Sequence, residues 1–276
     1  MARNYLAAVL VLCMIAGGAF VLDATLLDTP SQSENNELTG TLAPGLTATG
    51  LTEPGKLMDA HERVLETDSH TLYGTVLQHY SNGTTRRHFV WMGQRSHSST
   101  RSLYRSHYLV TQPHYNDRPL TQLAYYHRNN QTYEAASSPT TTTYQVVNES
   151  SGEMVSKALT RHGRLPLLFS VFKRTDGVTV SQLNTTTSHP YYRVQLTKLS
   201  SPESFAVAER METIRNASLT AVVDAWGVIH RYQLRSMGTE AGQTIHVRES
   251  MRVTAIGQTS IQQPAWYQQA RNNMTS

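Results

Sequence analysis

Apolar and polar residues alternate most regularly in the C-terminal third of the chain. Along residues 228–237, mostly apolar side chains alternate with arginine and glutamine. Residues 242–256 repeat the pattern, with Ile245 and Val247 on the apolar side. This period of two is typical of half-buried strands. With residues 219–223, these segments predict an antiparallel meander that has one apolar and one basic face.

Two polar residues, His230 and Glu249, fall on the apolar face of this meander. If residues 238–241 form the loop, antiparallel pairing places His230 opposite Glu249 and Tyr232 opposite Val247. A buried carboxylate is costly without a partner, so we expect the imidazole to pair with it. Such a pair can orient a ligand or act as a general acid and base, but no nucleophile can be assigned to it.

The same alternation predicts strands through most of the chain. An Asn-Gly pair at Asn82 predicts a hairpin between residues 71–80 and 86–92, and Asn129 with Asn130 predicts a second turn. The other predicted strands are 103–110, 120–127, 132–136, 141–147, 178–183 and 191–199. The chain is therefore expected to be rich in antiparallel sheet.

Helical spacing appears in three places. Thr52 is the expected N-cap of a helix with Pro54 in its first turn and His61 on its buried face. Residues 152–173 and 204–214 predict further helices. The combination predicts one α+β domain at residues 51–268, in which a strongly curved antiparallel sheet, a half-barrel, has its apolar concave face covered by helices.

The N-terminal 22 residues contain an uncharged apolar run at 5–22, with Arg3 before it and Asp23 after it. A helix of this run would be about 27 Å long, close to the thickness of a bilayer. It predicts export, by a signal sequence or by an uncleaved anchor with a cytoplasmic N-terminus, and the poorly formed cleavage site favours the anchor. The rest would then lie on the extracellular face of the membrane.

Two segments outside the domain are expected to lack regular structure. Residues 23–50, rich in Thr, Ser, Pro and Gly, are predicted to form a flexible stalk, and residues 269–276 a disordered tail. The single cysteine, Cys13, excludes an intramolecular disulfide. Because Leu12 precedes it, the pattern favours an apolar helix residue over a lipid-modified cysteine.

The sequence holds more Asn-x-Ser/Thr triplets than its composition predicts, all in segments expected to be turns, loops or the tail. In an exported protein these are candidate glycosylation sites. They are Asn82, Asn130, Asn148, Asn184, Asn216 and Asn273.

Charge and motifs exclude several classes of function. The net charge is +4, but the arginines are scattered singly along the strands, which disfavours nucleic-acid binding. Five histidines spaced nine residues apart, from His61 to His97, lack the spacing of zinc ligands. The chain also lacks a Gly-x-Ser-x-Gly elbow, a His-Glu-x-x-His helix and a phosphate-binding glycine loop, so no cofactor, metal or catalytic residue is expected.

Several short motifs resemble a family of haloarchaeal surface lipoproteins of unknown function. The motifs are Leu42-Ala43-Pro44-Gly45-Leu46, Asp59-Ala60-His61, the segment from Asn216 to Asp224, and Pro264-Ala265-Trp266-Tyr267. Members of that family are similar in architecture to lipoprotein carriers of the LolA and LppX type. The resemblance implies a curved sheet wrapped around an apolar cavity, and a location at the cell envelope.

Three functions remain open on this evidence. The first is a membrane-tethered, glycosylated surface protein that holds a lipid or other apolar ligand in a cavity between sheet and helices. The second is a structural or adhesion component that contacts other envelope proteins, and the third, less favoured, is a hydrolase. The ligand-cavity candidates are Tyr104, Tyr108, Tyr192, Tyr232, His230 and Glu249, with Tyr125 and Trp226 as further aromatic positions.

Overall fold

The structure is a computed structural model of the 276-residue chain. It describes residues 38–97, 101–110, 121–147, 164–172, 175–183 and 189–272. The predictions for the apolar run at 5–22, for Cys13, and for the triplets at Asn148, Asn184 and Asn273 lie outside these residues.

Antiparallel strands dominate the described residues, with a few short helices between them. In chain order the strands are β1 (Thr41–Ala43), β2 (Leu46–Thr47), β3 (Gly50–Leu51), β4 (His70–Tyr80), β5 (Thr85–Arg95), β6 (Arg101–Val110), β7 (Gln122–Arg128), β8 (Gln131–Ser137), β9 (Thr142–Val147), β10 (Val178–Leu183), β11 (Tyr191–Leu196), β12 (Thr213–Asp224), β13 (Ile229–Glu240) and β14 (Gln243–Thr254). The helices are α1 (Pro54–Thr67), α2 (Leu165–Val171), α3 (Pro202–Glu209) and α4 (Tyr267–Asn272). The predicted α+β class is confirmed.

The large sheet is open and has 11 strands. Its order is β10-β11-β12-β13-β14-β4-β5-β6-β7-β8-β9, and every neighbouring pair is antiparallel. Pairing of β4 with β14 joins the C-terminal meander to the N-terminal half of the sheet. The sheet therefore depends on contacts between distant parts of the chain.

The two predicted turns are confirmed. Asn82 lies in the exposed β4–β5 turn, where its side-chain oxygen accepts a hydrogen bond from the Thr84 amide at 2.9 Å. Asn129 and Asn130 both have positive φ in the exposed β7–β8 turn, a conformation that asparagine tolerates. Asn216, in contrast, is an exposed residue within β12 and not in a loop.

The predicted pairing of β13 with β14 is wrong by four residues. Leu234 lies opposite Glu249, and Tyr232 lies opposite Met251. The reason is the turn, which consists of Ala241 and Gly242 alone, both with positive φ, because Glu240 already pairs with Gln243. Two such residues match the two-residue turn that the twist of a hairpin favours.

One face of the sheet, here called the core face, forms the main apolar interior. It carries Leu219, Leu234 and Met251, and its cluster includes buried residues from α1, α2 and α3. The predicted helix at Pro54 is confirmed, and His61 is buried on it at 1% exposure. Its N-cap is Glu53 and not Thr52, since the Thr52 hydroxyl donates to the Gly45 carbonyl.

The opposite face, here called the arginine face because it carries Arg235 and Arg248, has a second hydrophobic cluster at β6 to β9. There Leu103, Tyr126 and Tyr133 pack against Tyr267 of α4. Helices therefore cover both faces of the sheet at different places, and not one face alone as the sequence predicted. This helix also corrects the predicted tail, because residues 269–272 belong to α4.

The N-terminal part of the described chain corrects the predicted stalk. Residues 41–51 form a small sheet in the order β1-β2-β3, with Leu46 and Leu51 buried in the main cluster. Gly45 turns the chain between β1 and β2 with φ of 75°, and a side chain there would collide with the Glu53 carbonyl. These residues thus form part of the folded domain.

No helix of the described residues corresponds to the predicted membrane-spanning helix. The longest helix of the described residues, α1, has 14 residues, and none of those helices is long and apolar enough to cross a bilayer. This corrects the transmembrane prediction within the described part of the chain.

Candidate ligand-binding face

The predicted cavity residues do not form one group. Tyr192, Tyr232 and Glu249 are buried on the core face, whereas Tyr104 and Tyr108 lie half-buried on the same face farther along the sheet. His230 is separate from all of them. The core face therefore brings five of the six together on one side, but in two different environments.

A β-bulge explains the position of His230. The register of β12 with β13 shifts between Val222 and Val223, so His230 has no partner opposite it. A bulge re-aims the side chain of its extra residue. The imidazole turns to Asp224, and its Nε2 lies 2.8 Å from a carboxylate oxygen of that residue. The predicted contact between His230 and Glu249 is thus wrong.

Asp224 also closes the β12–β13 turn. One carboxylate oxygen accepts hydrogen bonds from the amides of Trp226 and Val228, at 3.0 and 2.9 Å, while the other contacts His230. Trp226 at the tip is 56% exposed and lies 4.0 Å from the ring of His189. The pair of Asp224 and His230 therefore stabilises a turn that presents an exposed indole.

Glu249 has two partners, a tyrosine and an arginine. The Tyr232 hydroxyl donates to Glu249 at 2.6 Å, and a guanidinium nitrogen of Arg164 lies 3.2 Å from its second oxygen. Arg164 also contacts Glu209. Because Arg164 precedes α2 and Glu209 ends α3, this buried network attaches both helices to β14.

Burial and charge act against each other in this network. Burial raises the pKa of Glu249, and Arg164 only partly opposes the shift. Burial, the charge of Glu249 and the hydrogen bond to it raise the pKa of Tyr232 well above its usual value. Burial would lower the pKa of Arg164, but the two carboxylates outweigh that effect and raise it. The guanidinium therefore stays charged, and the carboxylates stabilise it.

His61 is a neutral core histidine. Its Nδ1 accepts a hydrogen bond from the Ile229 amide at 3.0 Å, which requires the nitrogen to be unprotonated. Burial, with further effects from His70 and His230, lowers its pKa to about 3. The side chain therefore links α1 to β13 without carrying charge.

The second environment on the core face is a row of half-buried aromatic rings, here called the aromatic strip. Its members are Phe89, Trp91, Tyr104, Tyr108 and Tyr125. The ring centroids of Phe89 and Tyr108 are 4.8 Å apart, and Tyr104 lies 6.3 Å from both Trp91 and Tyr125. The strip crosses β5, β6 and β7 and joins the main apolar cluster at one edge.

Gly74 on β4 makes room for the indole of Trp91. The two residues are direct partners, and a side-chain carbon at position 74 would lie 2.2 Å from the indole ring. Glycine inside a strand often marks such a close approach. Phe89 and Trp91 were not among the predicted cavity residues, although their alternate spacing in the hairpin and the glycine on its other strand carried the signal.

Polar groups border the aromatic strip. The Arg87 guanidinium lies 5.6 Å from the Phe89 ring, and Glu134 hydrogen-bonds to Tyr125 at the other side. Burial raises the pKa of Tyr104 to about 12, and burial with the Glu134 contact raises that of Tyr125. Both hydroxyls are therefore protonated at neutral pH and can donate hydrogen bonds. The strip combines an apolar surface with polar groups at its margins.

Metal binding is not supported by the described residues. Among them, no group of three or more His, Cys, Asp or Glu side chains is arranged to hold a metal ion. The chemistry available at the core face is therefore apolar contact, aromatic stacking and a few hydrogen bonds.

Comparison with known proteins finds distant structural likenesses. No protein-family description and no curated protein matches the sequence. The complex of MucA and MucB from Pseudomonas aeruginosa aligns at 11% identity with a TM-score of 0.32, covering 77% of this chain and 61% of that one. MucB in complex with MucA(peri) aligns at 6% identity with a TM-score of 0.16, covering 73% of this chain and 94% of that one.

These likenesses are too distant to carry an argument about function. The first alignment also leaves more than a third of the other chain uncovered. The expectations of a signal sequence and of glycosylation find no support in these matches, and we do not retain them.

Proposed function

We propose that the protein is a binding module that holds an apolar or amphipathic ligand, such as a lipid, against the aromatic strip. The observation that carries this proposal is the incomplete burial of all five rings of the strip beside the buried main cluster. Aromatic side chains gain most from contact when they are removed from water. A ligand that covers the strip would complete that burial.

The dimensions of the strip suit a flat or elongated molecule. Three neighbouring strands span about 10 Å, and the four-residue separation of Tyr104 and Tyr108 corresponds to about 14 Å along β6. Arg87 at one margin suits a negatively charged head group, and the tyrosine hydroxyls suit a neutral polar one. We infer an amphipathic ligand from this combination.

We further propose that the sheet curls into a half-barrel with the strip on its concave side. Open twisted sheets of more than about ten strands usually curl or split. The 11 strands here form one uninterrupted order with β10 and β9 at its edges. Such curvature would surround the ligand with the core face.

Binding without chemical conversion is the simplest role for these residues. Glu249, a buried carboxylate on the core face, contacts Tyr232 and Arg164 and attaches helices to the sheet. The pair of Asp224 and His230 stabilises a turn. Glu249 and the pair of Asp224 and His230 therefore each have a structural role. Neither arrangement requires a bound substrate to account for it.

The test uses binding of the apolar dye N-phenyl-1-naphthylamine to the full chain, followed by its fluorescence. Trp91→Leu combined with Tyr104→Leu should weaken dye binding by about tenfold, because two of the five stacking surfaces are lost. Trp226→Leu is the matched control, since it removes an exposed indole outside the strip. Native mass spectrometry of the protein from its host should show a bound lipid-sized molecule.

Equal dye binding by the double variant and the control would contradict the proposal. Protein that arrives without any bound small molecule and that binds no dye would favour the structural or adhesion role instead. Circular dichroism of both variants would establish that they fold, so that a loss of dye binding can be assigned to the strip.

A further inference from the structure

Arg86 and Arg87 follow each other on β5, yet both side chains reach the core face of the sheet. The register of β4 with β5 shifts between Gln78 and His79, so that Arg87 lies opposite Gln78 and Arg86 has no partner opposite it. A β-bulge of this kind re-aims the side chain of its extra residue. The Arg86 guanidinium accordingly donates to the Gln78 side chain, while that of Arg87 lies over the Phe89 ring at 5.6 Å. The bulge therefore brings two successive guanidinium groups to one face.

These two arginines differ in how their charges are matched. Arg86 is 6% exposed and donates two hydrogen bonds to the Glu240 carboxylate and one to the Arg210 carbonyl. Arg87 is half-buried, and among the described residues no carboxylate forms an ion pair with it. The Arg87 guanidinium therefore keeps the capacity to bind an anion from outside the fold.

Glu249 does not supply that anion. Burial raises the pKa of Glu249, and Arg87 opposes the shift less than Arg164 and the Tyr232 hydrogen bond do. Arg164 and Tyr232 contact the carboxylate directly, at 3.2 and 2.6 Å. Arg87 therefore acts on Glu249 from a longer distance, without a hydrogen bond.

The aromatic strip lies between a positive margin and a negative one. Burial raises the pKa of Tyr104, and the charge of Arg87 opposes this rise, so the guanidinium acts on the middle of the strip as well as on Phe89. On the other side Glu134 of β8 lies opposite Tyr125 and hydrogen-bonds to it. Three strand spacings, or about 14 Å, separate β5 from β8. The strip is thus polar in a defined direction.

Given the proposed binding function, on which this step rests, we infer that the ligand carries a negatively charged head group, bound by Arg87, and lays its apolar part over the rings. A guanidinium binds a carboxylate or a phosphate through two parallel hydrogen bonds. These bonds strengthen when the apolar part of the ligand excludes water from the strip. Repulsion by Glu134 disfavours the reverse orientation of the ligand.

A neutral ligand suits these residues less well. By covering the strip it would remove water from the Arg87 guanidinium without providing a counter-charge, and burial of an unpaired charge is costly. A cationic head group would be repelled by the same guanidinium. The chemistry of this margin therefore selects an anionic amphiphile.

The test compares two dyes that share their ring system and differ in charge. N-phenyl-1-naphthylamine is neutral, whereas 1-anilinonaphthalene-8-sulfonate carries a sulfonate. Both are titrated into the full chain, and the ratio of the sulfonate affinity to the neutral-dye affinity is measured. Arg87→Gln should lower this ratio by about tenfold, because the sulfonate loses its guanidinium partner. Raising salt to about 0.3 M should weaken binding of the sulfonate more than that of the neutral dye.

Two further variants isolate the role of the guanidinium. Arg105→Gln is the matched control, because it removes one exposed arginine from the neighbouring strand β6 on the opposite face. It should change the ratio by less than about twofold. Arg87→Lys keeps the charge but loses the paired hydrogen bonds, so its ratio should lie between those of the natural protein and of Arg87→Gln.

A competition experiment connects the dyes to lipids. Oleate should displace the sulfonate dye from the natural protein at a lower concentration than oleyl alcohol does, and Arg87→Gln should abolish this difference. Inorganic phosphate alone should not displace the dye. Displacement by phosphate as effective as that by oleate would assign Arg87 to a free anion and overturn the inference.

Two other results would also overturn it. One is an equal change of the ratio in Arg87→Gln and Arg105→Gln, and the other is the loss of both dyes in Arg87→Gln and Arg87→Lys alike, which would assign Arg87 a structural role. Circular dichroism of the variants would show whether they fold. In either case, binding of the neutral dye by the natural protein would still support the proposed function, whereas binding of neither dye would contradict both.

Discussion

Glu249 shows how one buried charge determines its surroundings. A carboxylate on an apolar face needs a partner, and the structure supplies the Tyr232 hydroxyl and the Arg164 guanidinium. The expectation that Glu249 would be paired is confirmed, but the expected partner, His230, instead contacts Asp224. Arg164 was missed because it lies 85 positions before Glu249 and in no strand.

The raised pKa of Glu249 predicts how stability depends on pH. In the folded state this carboxyl binds its proton more tightly than in the unfolded state, where its pKa is 4.5. Its contribution is therefore fully present below pH 4.5 and is lost as pH rises through the folded pKa. Compared with Glu249→Gln, the natural protein should lose unfolding free energy as pH rises above 4.5, as measured by urea denaturation. Parallel pH profiles of the two proteins would contradict this.

The β13–β14 hairpin shows how a turn sets the partners of a whole strand. The sequence suggested a loop at 238–241 because glycine often marks a turn. Gly238 instead lies within β13, where a side-chain carbon would be 2.2 Å from the Thr213 carbonyl of β12. The glycine thus serves the close approach of a neighbouring strand, and the turn moves to Ala241 and Gly242.

The turn itself gives a prediction about stability. Ala241 has φ of 48°, which is unfavourable for alanine but tolerated by asparagine, the common residue before glycine in such turns. Ala241→Asn should raise the unfolding free energy by about 0.5 to 1 kcal/mol, measured by urea denaturation. Ala241→Val should lower it by about 1 kcal/mol, because β-branched residues avoid this conformation. A gain in stability for valine would show that the turn has a different conformation.

At the scale of the whole molecule, the sheet is buried on different faces in its two halves. The main cluster lies on the core face with α1, α2 and α3, whereas α4 packs on the arginine face of β6 to β9. Tyr267 joins α4 to this second cluster through edge contacts with Tyr126 and Tyr133, with ring centroids 5.3 and 4.7 Å apart. The two halves of the sheet are therefore buried in separate hydrophobic clusters.

This division predicts a local effect of a mutation in α4. Tyr267→Ala should lower the unfolding free energy by about 3 kcal/mol, since it removes a buried ring that contacts two others. Hydrogen exchange should accelerate mainly in β7, β8 and β9, and the amides of β12, β13 and β14 should keep their protection. Uniform acceleration throughout the sheet would show that the halves unfold together.

The sequence alone determined the approximate positions of the strands of the large sheet, the α1 helix, the Asn turns and which residues of the meander share a face. These features follow from spacing within a short segment, and an even shift of four residues leaves the faces unchanged. Only the tertiary structure decided which residues of neighbouring strands lie opposite each other. A period of two in the sequence shows which face of the sheet a side chain is on, but it does not show which residue of the next strand it faces. The contact of His230 with Asp224 and the aromatic strip beside Gly74 both depend on register and on contacts between distant segments.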